Sequence, residues 1–165
     1  MGEISVGLAA RSDEPSTKIT DQQGVSFPRY FTQGIDPGKT SYDLIEWEER
    51  TASIANEKGE VIFEQQDVEM PRDWSQTATN IVVSKYFHGR AGTPERETSL
   101  RQLVHRVVDT IADWGANGGY FAAAEDAENF RAELTHLVIT QKASFNSPVW
   151  FNVGVKDARG HGWTW

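Results

Sequence analysis

The chain has 165 residues, enough for about one domain with a modest core. Its 24 acidic against 16 basic residues give a net charge of −8, which repels phosphate backbones and argues against nucleic-acid binding by charge. It contains no cysteine, so disulfides, thiolate metal sites and thiol nucleophiles are excluded within it.

No apolar run approaches the roughly 18 residues of a membrane helix. Met1 to Ala10 lacks the basic flank and hydrophobic segment of a signal peptide, so a cytoplasmic protein is expected. Residues 1–38, rich in Ser, Asp, Gly and Pro, read as a flexible or loosely docked arm. Within it Ser26-Phe27-Pro28-Arg29-Tyr30-Phe31-Thr32 is an aromatic island of the kind that packs on its own protein. From Ile45 an alternation runs through Trp47, Thr51 and Ser53. Asn56-Glu57-Lys58-Gly59 forms a turn and Val61 to Gln65 a second strand, together a β-hairpin that must lie on a larger body.

Three helices follow. Asp73 caps the first, whose face is Trp74, Ala78, Ile81, Val82 and Tyr86, ending near Gly89. Thr93-Pro94 opens the second. Leu100, Leu103, Val104, Val107, Val108, Ile111 and Trp114 make its core stripe, with Gly115 as the stop. The third runs from Glu125 to Lys142 and turns Ala127, Phe130, Leu134, Leu137 and Val138 inward. Val149-Trp150-Phe151-Asn152-Val153 is almost wholly apolar and reads as a strand buried on both faces. Such a strand has no sheet to join here, and with Trp163 and Trp165 behind it the chain reads as truncated in mid-element. Residues 39–142 are thus the hairpin and helical region, and 143–165 the buried strand and tail.

Chemistry-bearing residues are sparse. His88, His105, His136 and His161 lack any metal-binding spacing, and His105 and His136 sit beside apolar stripes, as structural histidines do. His88 suits a helix C-terminus. Glu46, Glu48, Glu49, Glu64, Asp67 and Glu69 form a solvated face more readily than a catalytic pair. Gly115-Ala116-Asn117-Gly118-Gly119 follows a helix and lacks the Lys-Ser/Thr of a phosphate loop. Asn146-Ser147-Pro148 stands out. A hydroxyl and free N–H groups on a turn can hold a phosphate without a lysine, although Ser-Pro is also a common turn.

Several stretches, in order, resemble class II (adenosylcobalamin-dependent) ribonucleotide reductases: residues 26–32, 40–54, 59–65, 74–87 and, most strongly, Phe145-Asn146-Ser147-Pro148-Val149-Trp150-Phe151-Asn152-Val153-Gly154. The resemblance implies an α+β fragment: a mainly helical N-terminal region with a β-hairpin, plus the first strand of a ten-stranded α/β barrel. It implies a ribonucleoside-diphosphate reductase making 2′-deoxyribonucleotides for DNA synthesis. In that chemistry adenosylcobalamin breaks homolytically, a cysteine thiyl takes the 3′ hydrogen, and two further cysteines supply electrons. Ser147 matches the family's Ser/Thr-Pro turn at the substrate phosphates and is the expected substrate-binding residue. No catalytic residue, metal ligand or cofactor ligand can be assigned in this chain. The implied partners are the ribonucleotide, deoxynucleotide effectors, the remainder of the barrel and a second copy of the full enzyme. The alternative is a non-enzymatic module that assembles with the rest of a split reductase.

Overall fold

The computed structural model describes residues 24–156; His161, Trp163, Trp165 and the first 23 residues of the expected arm lie outside it. A 3₁₀ turn (Ser41–Leu44) leads into a two-stranded antiparallel sheet of β1 (Trp47–Ala55) and β2 (Val61–Pro71), followed by α1 (Gln76–Tyr86), α2 (Leu100–Asn117), α3 (Ala124–Ile139) and α4 (Ser147–Asn152).

The hairpin runs in register from Trp47 opposite Pro71 to Ala55 opposite Val61. Its turn contains Gly59 at φ +81°, a value that costs glycine little. β2 extends six residues past the expected Gln65. The register shifts between Arg50 and Ala52, where Asp67 takes φ +54°. This bulge moves the inward positions from Phe63 and Gln65 to Val68 and Met70, so no single alternation spans the strand.

α2 is the axis of the core. Leu100, Leu103, Val104, Val107, Val108 and Ala112 are all buried on it, against Met70 and Val68 of β2, Val83 of α1, and Val138 and Ile139 of α3. Burying a side chain of this size contributes about 1.5–3 kcal/mol, which makes this stripe the main source of stability. The helix begins at Ser99, not at Thr93-Pro94. The Ser99 hydroxyl accepts from the Arg101 N–H, while Gln102 Oε1 accepts from the Ser99 and Thr98 N–H groups. Residues 93–96 instead form a turn. The helix also runs through Gly115. A side chain there would strike the Phe121 ring, so this glycine serves close packing and does not end the helix.

α1 starts at Ser75, whose hydroxyl accepts from the Ala78 N–H, two residues later than the expected Asp73 cap. α3 stops at Ile139, short of Lys142. Gln141 takes the left-handed conformation at φ +57°, and the Gln141 and Lys142 N–H groups return to the carbonyls of Val138 and Leu137.

The largest correction concerns residues 147–152. They form helix α4, not the first strand of a barrel, and no strand follows β2 among the described residues. Asn146 caps the helix through its side-chain oxygen and Pro148 sits in the first turn. Only Trp150 of the helix is buried, while Phe151 is 48% exposed, so the segment is not covered on both faces. An apolar run this short fits either period, and the cap decides. The architecture is a small α+β domain. Among the described residues no helix is long and apolar enough to cross a membrane.

Candidate functional site

Ser147 opens α4 and is half-buried. Its hydroxyl lies 3.1 Å from the Tyr86 hydroxyl at the C-terminal end of α1. The Tyr86 ring packs on Phe151 and Trp150 at centroid distances of 5.3 and 6.4 Å, and Phe145 meets Trp150 edge-on at 5.3 Å. Beside this aromatic cluster lies a mainly apolar cavity of about 280 Å³, bordered by Trp74, Ile81, Tyr86, Leu103, Val138 and Trp150.

Two arginines hold the junction together. Arg106 of α2 donates through Nη1 to the carbonyls of Val153 (2.8 Å) and Trp150 (3.3 Å), and through Nη2 to the carbonyl of Tyr86 (3.2 Å). Its Nε pairs with Glu97 Oε1 at 2.7 Å, and both side chains are about nine-tenths buried. Arg96 donates to the carbonyls of Val83, Phe87 and Gly89. Several carbonyls at the ends of α1 and α4, those of Val83, Tyr86 and Trp150, are thus satisfied by guanidinium donors. Glu97 also accepts from the His88 N–H at 2.7 Å. A buried carboxylate with these partners is compensated, so this network positions Ser147 and Tyr86 without offering a proton donor or acceptor of its own.

The other sequence candidates do not join Ser147. His105 Nδ1 lies 3.3 Å from Asp109 one helical turn away, with its ring over Tyr42 at 5.0 Å. His136 stacks on Phe31 at 5.7 Å and lies 3.1 Å from Lys142 Nζ and 3.4 Å from the Ser41 hydroxyl. Its burial and the Lys142 charge lower its pKa, against the opposing pull of Glu133. Among the hairpin carboxylates, Glu46 pairs with Arg72 and Glu48 with Arg50, both at 2.7 Å, while Glu69 binds Ser99 and Arg101. These are ion pairs, not an acid–base couple. Among the described residues no three His, Cys, Asp or Glu side chains converge as a metal site.

The sequence reading missed a polar seam on α3. Asp126, Asn129 and Glu133 are buried there, and they hold the arm. The Phe27 N–H donates to Asp126 (2.6 Å) and Arg29 Nε to Asn129 (2.9 Å). Glu133 accepts from the Thr32 hydroxyl (2.5 Å) and from the N–H groups of Thr32 and Phe31 (2.8 and 2.9 Å). Asp126, Asn129 and Glu133 share one face of α3, but nothing in their spacing alone distinguishes a buried polar seam from a solvated one. Tyr86 counted only as part of an apolar face, and no spacing reveals a partner 61 positions away.

A family model of class II vitamin B12-dependent ribonucleotide reductases matches residues 48–141, more than half of the chain. The vitamin B12-dependent ribonucleotide reductase of Rhodopirellula baltica is 48% identical over 151 residues, covering 88% of this chain and 14% of that protein. The enzyme of the same name from Streptomyces clavuligerus is 46% identical over 155 residues, covering 93% and 16%. That of Agrobacterium fabrum is 33% identical over 166 residues, covering 80% and 13%. The chain thus spans about one seventh of the length of these relatives. With the family model over its hairpin and first three helices and relatives aligned over most of its length, the chain belongs to the class II, vitamin B12-dependent ribonucleotide reductases, as a fragment from their N-terminal region.

Proposed function

We propose that this region forms part of the substrate-phosphate side of a reductase that converts ribonucleotides into 2′-deoxyribonucleotides for DNA synthesis, with Ser147 donating its hydroxyl proton to a phosphate oxygen. The observation that carries this reading is the place of Ser147. It is a half-buried hydroxyl at the start of a capped, proline-stiffened helix whose far end Arg106 holds, and among the described residues its side-chain partner is Tyr86. A hydroxyl held this way gives a phosphate a fixed donor without a lysine.

The thiyl radical and the dithiol that reduce the sugar belong to other parts of the enzyme, since this chain has no cysteine. The same holds for adenosylcobalamin. The cavity beside α4, about 280 Å³, lies below the usual range even for drug-sized ligands, and a corrinoid is far larger. No residue described here is assigned to it. Deoxynucleotide effectors and pairing of two enzyme copies likewise belong to the complete protein.

The test is Ser147→Ala in the complete enzyme. Losing one hydrogen bond to a phosphate raises the ribonucleotide KM roughly tenfold and leaves kcat near its original value. An unchanged KM removes Ser147 from the site.

A further inference from the structure

Tyr86 carries a polar atom that the packing of α1 does not require. Its ring already fills the space beside Phe151 and Trp150, and phenylalanine would fill it equally. The hydroxyl instead reaches across 61 positions of sequence to stand 3.1 Å from Ser147 Oγ. Both ends of this bond are fixed. The Tyr86 carbonyl accepts from Arg106, and the same guanidinium accommodates the carbonyls of Trp150 and Val153 from the α4 side. The backbones of α1 and α4 that carry the two hydroxyls are therefore tied to one guanidinium.

Of the two protons on a pair of hydroxyls one lies in the bond between them, and its direction matters. A phenol O–H is a stronger hydrogen-bond donor than an aliphatic one. If Tyr86 donates, the Ser147 oxygen accepts and the serine proton is left to point outward. An anionic oxygen arriving at Ser147 completes a chain from Tyr86 O–H to Ser147 O–H to ligand, in which each bond polarises and strengthens the next. If Ser147 donated to Tyr86, the same anion would meet a lone pair and be repelled. Without Tyr86 the serine hydroxyl is a free rotor, and a ligand must bear the cost of orienting it.

We propose that Tyr86 is a positioning residue for Ser147: its phenol donates to the serine hydroxyl and aims the serine proton at a phosphate oxygen of the bound ribonucleotide. This rests on the reading of Ser147 given above.

The experiment is a double-mutant cycle in the complete enzyme with Tyr86→Phe, Ser147→Ala and the pair, reading KM, kcat and the melting temperature of each. The expected result for Tyr86→Phe is a rise in KM of about threefold, with kcat unchanged, because one neutral hydrogen bond to the serine is lost. In the Ser147→Ala background the same substitution changes KM no further. Three results overturn the proposal. If Ser147→Ala raises KM but Tyr86→Phe leaves it unchanged, the phenol has no role while the serine keeps its own. If Tyr86→Phe raises KM by the same factor in the Ser147→Ala background, its effect is packing and does not pass through the serine. If Ser147→Ala leaves KM unchanged, the serine reading fails and this inference goes with it.

Discussion

Two irregular segments are fastened to the same helical body by opposite chemistry. The arm, residues 24–32, runs along α3 and offers its N–H groups, and carboxylates on α3 receive them. The stretch around α4 offers its carbonyls, and Arg106 on α2 supplies the donors. Both solutions satisfy backbone groups that a regular element would satisfy internally. They differ in what can undo them. A carboxylate loses its charge within the range of mild acid, whereas a guanidinium keeps its charge at every pH a folded protein meets. The carbonyls of the junction that carries Ser147 are therefore held by a donor of the kind that keeps its charge, backed by the Glu97 carboxylate.

The largest test of that contrast is Arg106→Ala. It removes three carbonyl contacts and leaves Glu97 buried with its main partner gone. Breaking a buried pair from one side costs about 3–5 kcal/mol. Urea melts should show a loss of that size, and adding Glu97→Gln should recover part of it, because the charge then no longer lacks compensation. A loss under about 1 kcal/mol would mean that the α4 junction is held by its aromatic packing alone.

On the arm side the expected effect is smaller. Glu133→Gln keeps one acceptor oxygen but turns an NH₂ group toward donors that need an acceptor. Hydrogen bonds to a charged group are worth about 1.5–3 kcal/mol, so the arm should loosen by an amount of that order. Amide exchange should quicken at Phe31 and Thr32 while the amides of α4 stay as they were. Equal quickening in both places would show that the two attachments are coupled and the contrast is false.

How much of this was legible follows from where each signal resides. The α2 stripe could be read directly, since helical periodicity over 18 residues has no rival interpretation. The hairpin and its glycine turn were legible, but the far half of β2 was hidden by the bulge at Asp67. Val149 to Val153 reads as a strand in the sequence because so short an apolar run shows no period, and what makes Ser147–Asn152 a helix is an asparagine cap and an arginine 44 positions away. Ser147 could be named from its turn and its resemblance. Tyr86 could not, because its role depends on a tertiary contact that leaves no local trace. The α3 seam was overlooked for a different reason: buried acids look like a solvated face until the donors that bury them are placed.

The smallest effect expected is with pH, and its sign can be worked out. Burial alone would raise the pKa of Glu133, but the bonds from the Thr32 hydroxyl and the Phe31 and Thr32 N–H groups outweigh it and hold the carboxyl below its ordinary 4.5. A depressed carboxyl contributes stability above its undocked pKa and loses it as pH falls through the docked one. His136, stacked on Phe31, is also depressed, from 6.5. For a base the consequence begins earlier: below 6.5 the undocked imidazole takes a proton that the docked one resists, so acid favours release. The arm should therefore loosen in two steps, a first below pH 6.5 from His136 and a second below pH 4.5 from Glu133. Following Phe31 and Trp150 ring resonances from pH 7 to pH 4 separates the two attachments. Phe31 should shift in both steps and Trp150 in neither. His136→Phe keeps the stack and should abolish only the first step, and a first step that survives it would belong to another group.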